Sequence, residues 1–297
     1  MRAHLGEGAT QPPLIAKIET LSAVRNIEEI LPEVDGIMIA RGDLGLQIGV
    51  EAVPLGQKEL IRAARGHGKA VIVATQMLES MVANPSPTRA EATDVFNAIT
   101  DGCDAVMLSG ETSVGSRPVT VVETMDRIAR LAESYHGDPE SQKRERKVIR
   151  AKMGAKIEHQ TIGRVNEDMA LMAVQFGEDI PAHSVLSFTR TGATLRRMSH
   201  YRPSPPLIGA CRTPEIARSL LIHYAVHPVL MPYTEEAPSI SYLVEMVRPI
   251  LRRKFALQPG AAVVVTGSID WRRGGTNTIR VVVEDMKSFE QSGDGDP

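Results

Sequence analysis

Four short apolar runs punctuate the first third of the chain, and a polar cluster closes each of them. The runs are Leu14-Ile15-Ala16, Gly36-Ile37-Met38-Ile39-Ala40, Ala70-Val71-Ile72-Val73-Ala74 and Ala105-Val106-Met107-Leu108. They are continuous rather than alternating, which predicts strands buried on both faces, the arrangement of a parallel sheet covered by helices. Between them, residues 54–65 and 88–99 carry apolar positions at helical spacing. Gly66-His67-Gly68 ends the first helix and Ser86-Pro87-Thr88 opens the second. Residues 117–135 predict a further amphipathic helix, after which charge density rises. The mixed run from Glu140 to Lys156 reads as a solvated linker or exposed helix between domains. A second pattern of strands follows at residues 184–188, 206–210, 227–231, 261–266 and 280–284. The Gly-Asp tail at 293–297 is expected to be disordered.

The polar clusters are Lys17-Ile18-Glu19, Arg41-Gly42-Asp43, Thr75-Gln76 and Ser109-Gly110-Glu111. They recur at roughly the length of a strand-plus-helix unit. In barrels built of such units the reacting groups sit where strands end, so the clusters are expected to converge on one mouth. Their chemistry fits that place. Glu19 and Asp43 are hard oxygen ligands suited to magnesium, which takes one or two carboxylates and leaves its other positions to water and substrate oxygens. Lys17 lies two residues before Glu19, so in a strand both side chains project to one face. A cation beside a metal suits a phosphoryl group or an enolate. Gly42, without a Cβ, admits close approach of the backbone, and the amides of Gly42 and Asp43 are placed to hold a carboxylate.

Ile15-Ala16-Lys17-Ile18-Glu19, Ile39-Ala40-Arg41-Gly42-Asp43-Leu44-Gly45, Ala74-Thr75-Gln76-Met77-Leu78-Glu79-Ser80-Met81 and Val106-Met107-Leu108-Ser109-Gly110-Glu111-Thr112, in this order, resemble the pyruvate kinase family. Thr189-Arg190-Thr191-Gly192-Ala193-Thr194, Tyr201-Arg202-Pro203 and Gly274-Gly275-Thr276-Asn277-Thr278 resemble that family's C-terminal domain. The resemblance implies an α/β protein: the second half of a TIM barrel over residues 1–136, a linker at 137–156, a separate α/β C-terminal domain at 157–289 and a disordered tail at 290–297.

The resemblance also assigns roles. Lys17 is expected to neutralise the phosphoryl group in flight and the enolate oxygen. Glu19 and Asp43 are the expected magnesium ligands, and Arg41, Gly42, Asp43 and Thr75 the expected substrate-binding residues. Thr75 would stand near the enolate carbon and help deliver a proton, with Ser109 and Glu111 in the same relay. The family also uses potassium. The resemblance begins at about the fifth barrel strand, so the first half of the barrel, the lid domain, the potassium ligands and the arginines that clamp phosphates are expected to be absent. In the second domain, Thr189, Arg190, Thr191, Gly192 and Thr194 resemble the loop that holds the phosphate of an activating sugar phosphate, with Trp271 and Arg272 as further contacts. The plainer alternative is that these hydroxyls cap the next helix.

Composition narrows the classes without selecting a function. With 297 residues, 42% of them hydrophobic and 24% charged, the chain suits two globular domains with cores. No apolar run approaches the roughly 20 residues of a membrane span, and Met1-Arg2-Ala3-His4 leads into no signal-peptide core. A net charge of −2 and few aromatics disfavour nucleic-acid binding. Cys103 and Cys211 fall in different expected domains and read as buried thiols of a reducing, cytoplasmic compartment. The histidines show no metal-pair spacing, and Met77, Met81, Met107 and Met125 read as packing.

The leading expectation is therefore phosphotransfer between phosphoenolpyruvate and ADP, giving pyruvate and ATP, in a homo-oligomer or together with a complementing N-terminal half. The alternative is a non-catalytic remnant that keeps an assembly or sugar-phosphate-binding domain. A magnesium-enolate lyase barrel is a third reading, disfavoured by the run 74–81 and by the C-terminal motifs.

Overall fold

The computed structural model describes residues 12–135, 139–156, 161–231, 239–267 and 276–285. Trp271, Arg272 and the tail at 290–297 lie outside the described residues. The chain divides into two compact units, residues 1–149 and 150–297.

In the first unit the four apolar runs form a four-stranded sheet in sequence order. Its strands are β1 (Ile15–Ile18), β2 (Gly36–Ala40), β3 (Ala70–Ala74) and β4 (Ala105–Met107). Every neighbouring pair is parallel. The helices between them are α1 (Leu21–Arg25) and α2 (Ile27–Ile30), then α3 (Arg41–Ile48) and α4 (Val53–Gly66), then α5 (Arg89–Thr100). After β4 come α6 (Gly110–Ser113) and α7 (Pro118–Ser134). Ile37 and Ile39 of β2, Val71 and Val73 of β3, and Leu60 and Ile61 of α4 are buried in one core with Met77, Met81 and Met125. Each fully buried aliphatic side chain contributes about 1.5–3 kcal/mol. The two inner strands are thus covered, as their unbroken hydrophobicity requires. Gly36 opens β2 where the neighbouring backbone comes close: a Cβ there would stand 2.8 Å from the carbonyl oxygen of Ala70.

Several strand boundaries differ from the sequence expectation by one or two residues. β1 runs beyond Ala16, so Lys17 lies inside the strand and pairs in register with Met38. Its alternation buries Ile18 and leaves Lys17 exposed. The Arg41-Gly42-Asp43 cluster follows β2 without a loop, as the first turn of α3. The charged stretch before residue 157 is helical, α8 (Pro139–Lys156).

The second unit carries α9 (Thr161–Asp179), β5 (Ser184–Thr189), α10 (Ala193–His200), β6 (Leu207–Cys211), α11 (Pro214–Leu220), β7 (Val226–Leu230), α12 (Ile240–Phe255), β8 (Ala262–Gly267) and β9 (Thr278–Val283). The sheet order is β7-β6-β5-β8-β9. All pairs are parallel except β8 with β9, which is antiparallel. The last strand is therefore not another strand-plus-helix unit. Residues 268–277 are too few for the crossover of a dozen or more residues that a parallel neighbour needs. Glu284, just past β9, accepts from Arg252 Nε of α12 at 2.9 Å and pairs with Arg248 Nε at 3.4 Å. Among the described residues no helix is long and apolar enough to cross a membrane.

Glu91 joins helix to loop in the first unit. The Thr88 hydroxyl accepts from the Glu91 amide at 3.2 Å, and the Glu91 carboxylate accepts from the Thr88 amide at 2.7 Å, a complete capping box. The same carboxylate accepts from the Ser80 amide at 2.7 Å and from its hydroxyl. Burial alone would raise the carboxyl, but the hydrogen bonds from Ser80 and Thr88 outweigh it and hold Glu91 below its ordinary range. A depressed carboxylate adds stability that is present above the unfolded value of 4.5 and is lost as pH falls through the folded value. Glu91→Gln should therefore melt below the parent at neutral pH, with the difference closing as pH falls below about 4.5. Thermal melts across that range check it, and a constant difference would count against the assignment.

Candidate active site

Three of the four polar clusters meet through side-chain contacts. Lys17 Nζ donates to Asp43 Oδ2 at 3.2 Å and also pairs with Glu19 Oε2, so one ammonium bridges the end of β1 and the first turn of α3. All three side chains are open to solvent, Lys17 at 52%, Asp43 at 59% and Glu19 at 36%. Hydrogen bonds to Glu19 and then to Asp43 raise the lysine above its ordinary value and keep it charged through neutral pH. The third cluster joins through Thr75, whose hydroxyl accepts from the Gly42 amide at 2.8 Å and donates to the Ala74 carbonyl at 2.6 Å. The Gly42 amide, expected to hold a carboxylate, is thus directed at Thr75.

Arg41 supports this arrangement from beneath. Its side chain is buried. One guanidinium nitrogen donates to Asp94 Oδ1 of α5 at 2.8 Å, and the other to the carbonyls of Thr75 at 2.7 Å and Gln76 at 3.2 Å. Those two residues stand at φ 70° and 53°, a left-handed conformation unusual for side chains of this kind. Such backbone costs about 1–3 kcal/mol per residue and persists only where the surroundings hold it. The guanidinium fork is a fitting clamp because it presents several donors in one plane. The structure therefore gives Arg41 to the loop after β3.

Glu111 is fully buried, and both of its oxygens accept from backbone: Oε1 from the Leu78 amide at 3.2 Å and Oε2 from the Ser109 amide at 2.7 Å. It joins the β4 cluster to the loop that carries Thr75, three residues beyond that threonine. Gln57, Asp94 and Asp101 were not singled out in the sequence. Gln57 Oε1 accepts from Arg41 at 3.5 Å, and its amide donates to Asp101 Oδ2 at 3.2 Å. No residue spacing signals these partners, because they come from α4, α5 and the turn after α5.

Among the described residues no group of three or more His, Cys, Asp or Glu gathers as a metal site. Glu19 and Asp43 nevertheless fit a divalent ion of the magnesium type. Both present hard oxygens to one point that already attracts a cation, the Lys17 ammonium, and such an ion completes its shell with water and substrate oxygens.

In the second unit, Gly192 adopts φ 80° at the start of α10. Its amide donates to the Thr189 hydroxyl at 2.7 Å, and the Ala193 amide donates to the Thr191 hydroxyl at 3.4 Å. The Thr194 hydroxyl bonds that of Thr276 at 2.7 Å, and the Thr276 amide donates to Asn166 of α9 at 2.8 Å. Arg190 is exposed. Two of the loop's amides are thus met by its own hydroxyls.

Parallel strands in sequence order, covered by helices and carrying a lysine, two carboxylates and a clamped threonine at their ends, are the arrangement found along the rim of an α/β barrel. Residues 1–122 match the model of the pyruvate kinase barrel domain, and residues 167–282 that of the pyruvate kinase alpha/beta domain. Pyruvate kinase of Geobacillus stearothermophilus is 40% identical over 282 residues, covering 92% of this chain and 44% of the relative. That of Dictyostelium discoideum is 37% identical over 293 residues, covering 97% and 56%. The crystal structure of a pyruvate kinase from Cryptosporidium parvum superposes with a TM-score of 0.84 at 32% identity, covering 95% of this chain and 55% of that one. The chain belongs to the pyruvate kinase family, and it spans about half the length of the curated relatives it matches.

Removing the carboxylate opposite Arg41 tests the clamp. Asp94→Ala leaves a buried guanidinium short of its charged acceptor and should cost about 1–3 kcal/mol in urea unfolding. Arg41→Lys should cost at least as much, since a single ammonium cannot hold Asp94 and two carbonyls in one plane. Unfolding midpoints equal to the parent's in both variants would show the clamp to be idle.

Proposed function

We propose that this chain supplies the metal-binding and phosphoryl-neutralising side of a phosphotransfer site acting between phosphoenolpyruvate and ADP. The observation that carries the reading is the meeting of Lys17, Glu19 and Asp43 at one point, linked through Gly42 to Thr75. A magnesium ion on the two carboxylates would supply charge neutralisation for phosphoryl and enolate oxygens. Lys17 lays a positive charge beside the same oxygens, where a preoriented charge acts on the transition state. Thr75 holds its hydroxyl at a fixed place through Gly42 and Ala74 and serves as the proton-handling group near the enolate carbon. Arg41, with Gly42 and Asp43, shapes the substrate side by fixing the Thr75 loop. Ser109 and Glu111 join the same machinery through the backbone of that loop.

The reading includes potassium as a cofactor whose ligands come from outside this chain, and phosphate clamps from a complementing N-terminal half or from a homo-oligomer. It places the domain boundary within 137–156 and assigns the protein to the cytoplasm, in keeping with two buried thiols, that of Cys211 pushed up to about 11 by burial. At residues 189–194 an activating sugar phosphate would displace the hydroxyls that now satisfy the Gly192 and Ala193 amides. That exchange of partners is what a phosphate cradle at a helix start requires.

Turnover of phosphoenolpyruvate with ADP, magnesium and potassium is the direct test. The chain by itself should release no pyruvate above background. A mixture with a separately expressed N-terminal half of a relative should be active, and Lys17→Met should reduce that activity by several orders of magnitude. Full activity of the Lys17→Met mixture would overturn the assignment.

A further inference from the structure

Lys17 occupies the position between the two carboxylates that a divalent cation would share. Its Nζ lies 3.2 Å from Asp43 Oδ2 and is paired with Glu19 Oε2 in the same arrangement, so a single ammonium serves both acids. Two carboxylates at close range repel one another unless a positive charge stands between them. Elsewhere in the first unit, such a charge comes from a side chain with no candidate ligand role, as Asp101 finds it in Lys58. Here the compensating charge belongs to a residue with a proposed role of its own.

From this geometry we propose that Lys17 is a resident counter-cation of the Glu19–Asp43 pair, which a divalent ion must displace. The inference rests on the metal reading given above. A divalent ion that takes Glu19 Oε2 and Asp43 Oδ2 together must break both pairs and then stands within a few ångströms of a like charge. Lys17 therefore weakens metal binding in the free protein. The same displacement releases the ammonium at the mouth of the site, where it is available to an oxyanion only after the metal has arrived. The exposed position of Lys17 makes this exchange easy, since the side chain swings into water without disturbing the core.

Manganese(II) binding by the full chain, read by electron paramagnetic resonance of the free ion, tests the proposal without any need for turnover. Lys17→Met should bind manganese about tenfold more tightly than the parent, the sum of the released pairs and the removed like charge. Lys17→Gln should show the same gain, so that an effect of the methionine side chain is set apart. Adding Glu19→Gln to Lys17→Met should abolish the gain. Equal or weaker binding in both lysine variants overturns the proposal, as does a gain that survives Glu19→Gln. If parent binding depends on Glu19 but ignores Lys17, the counter-cation role fails and the metal reading stands. If neither the parent nor the lysine variants bind manganese, the metal reading itself fails and the proposal with it.

Discussion

The buried guanidinium of Arg41 is the contact on which the shape of the candidate site depends. It stands at the start of α3, and its partners lie in α5 and in the loop after β3. A charged group removed from water needs hydrogen-bond partners for its terminal nitrogens. Asp94, the carbonyls of Thr75 and Gln76, and Gln57 meet it. In return, two consecutive residues stay in a left-handed conformation that they would otherwise leave. Thr75 is thereby turned so that its hydroxyl accepts from Gly42, and Gly42 precedes Asp43 in the first turn of α3. The exposed part of the site is set by an ion pair beneath it.

The inner strands of both units were legible because parallel strands covered on two faces need largely apolar runs. β2 and β3 occupy the ranges that Gly36 to Ala40 and Ala70 to Ala74 announce. Lys17, Glu19, Asp43 and Thr75 were legible as a group because strand ends bring polar residues to one rim. The support of the group was not. Nothing in the spacing of Asp94 or Gln57 distinguishes them from the solvated polar residues of any amphipathic helix, and only the fold places them against Arg41. Glu111 is a similar case. As a carboxylate at a strand end it suggested proton transfer, yet its oxygens are met by the amides of Leu78 and Ser109. The direction of β9 was also hidden, because a strand pattern carries no information on whether its neighbour runs parallel. α12 was obscured by Pro249 within it, a residue that ordinarily ends a helix.

The second unit secures its sheet differently. Glu284 beyond β9 is held by Arg252 and Arg248 of α12, so the helix is tied by charge to the end of the antiparallel strand. At the opposite end of the strands, the Gly192 and Ala193 amides donate to the hydroxyls of Thr189 and Thr191. An anion entering such a loop would exchange one set of acceptors for another.

Helix α5 grips the loop after β3 at two places. Glu91 in its first turn takes the amide and hydroxyl of Ser80, and Asp94 takes Arg41, which in turn holds the carbonyls of Thr75 and Gln76. The acids are three residues apart and so lie on one side of the helix. A segment fixed at both ends to a twelve-residue helix loses the independent motion usual for loops. Thr75 is thus tied to α5 through Arg41, and a tilt of that helix would be felt at the threonine hydroxyl.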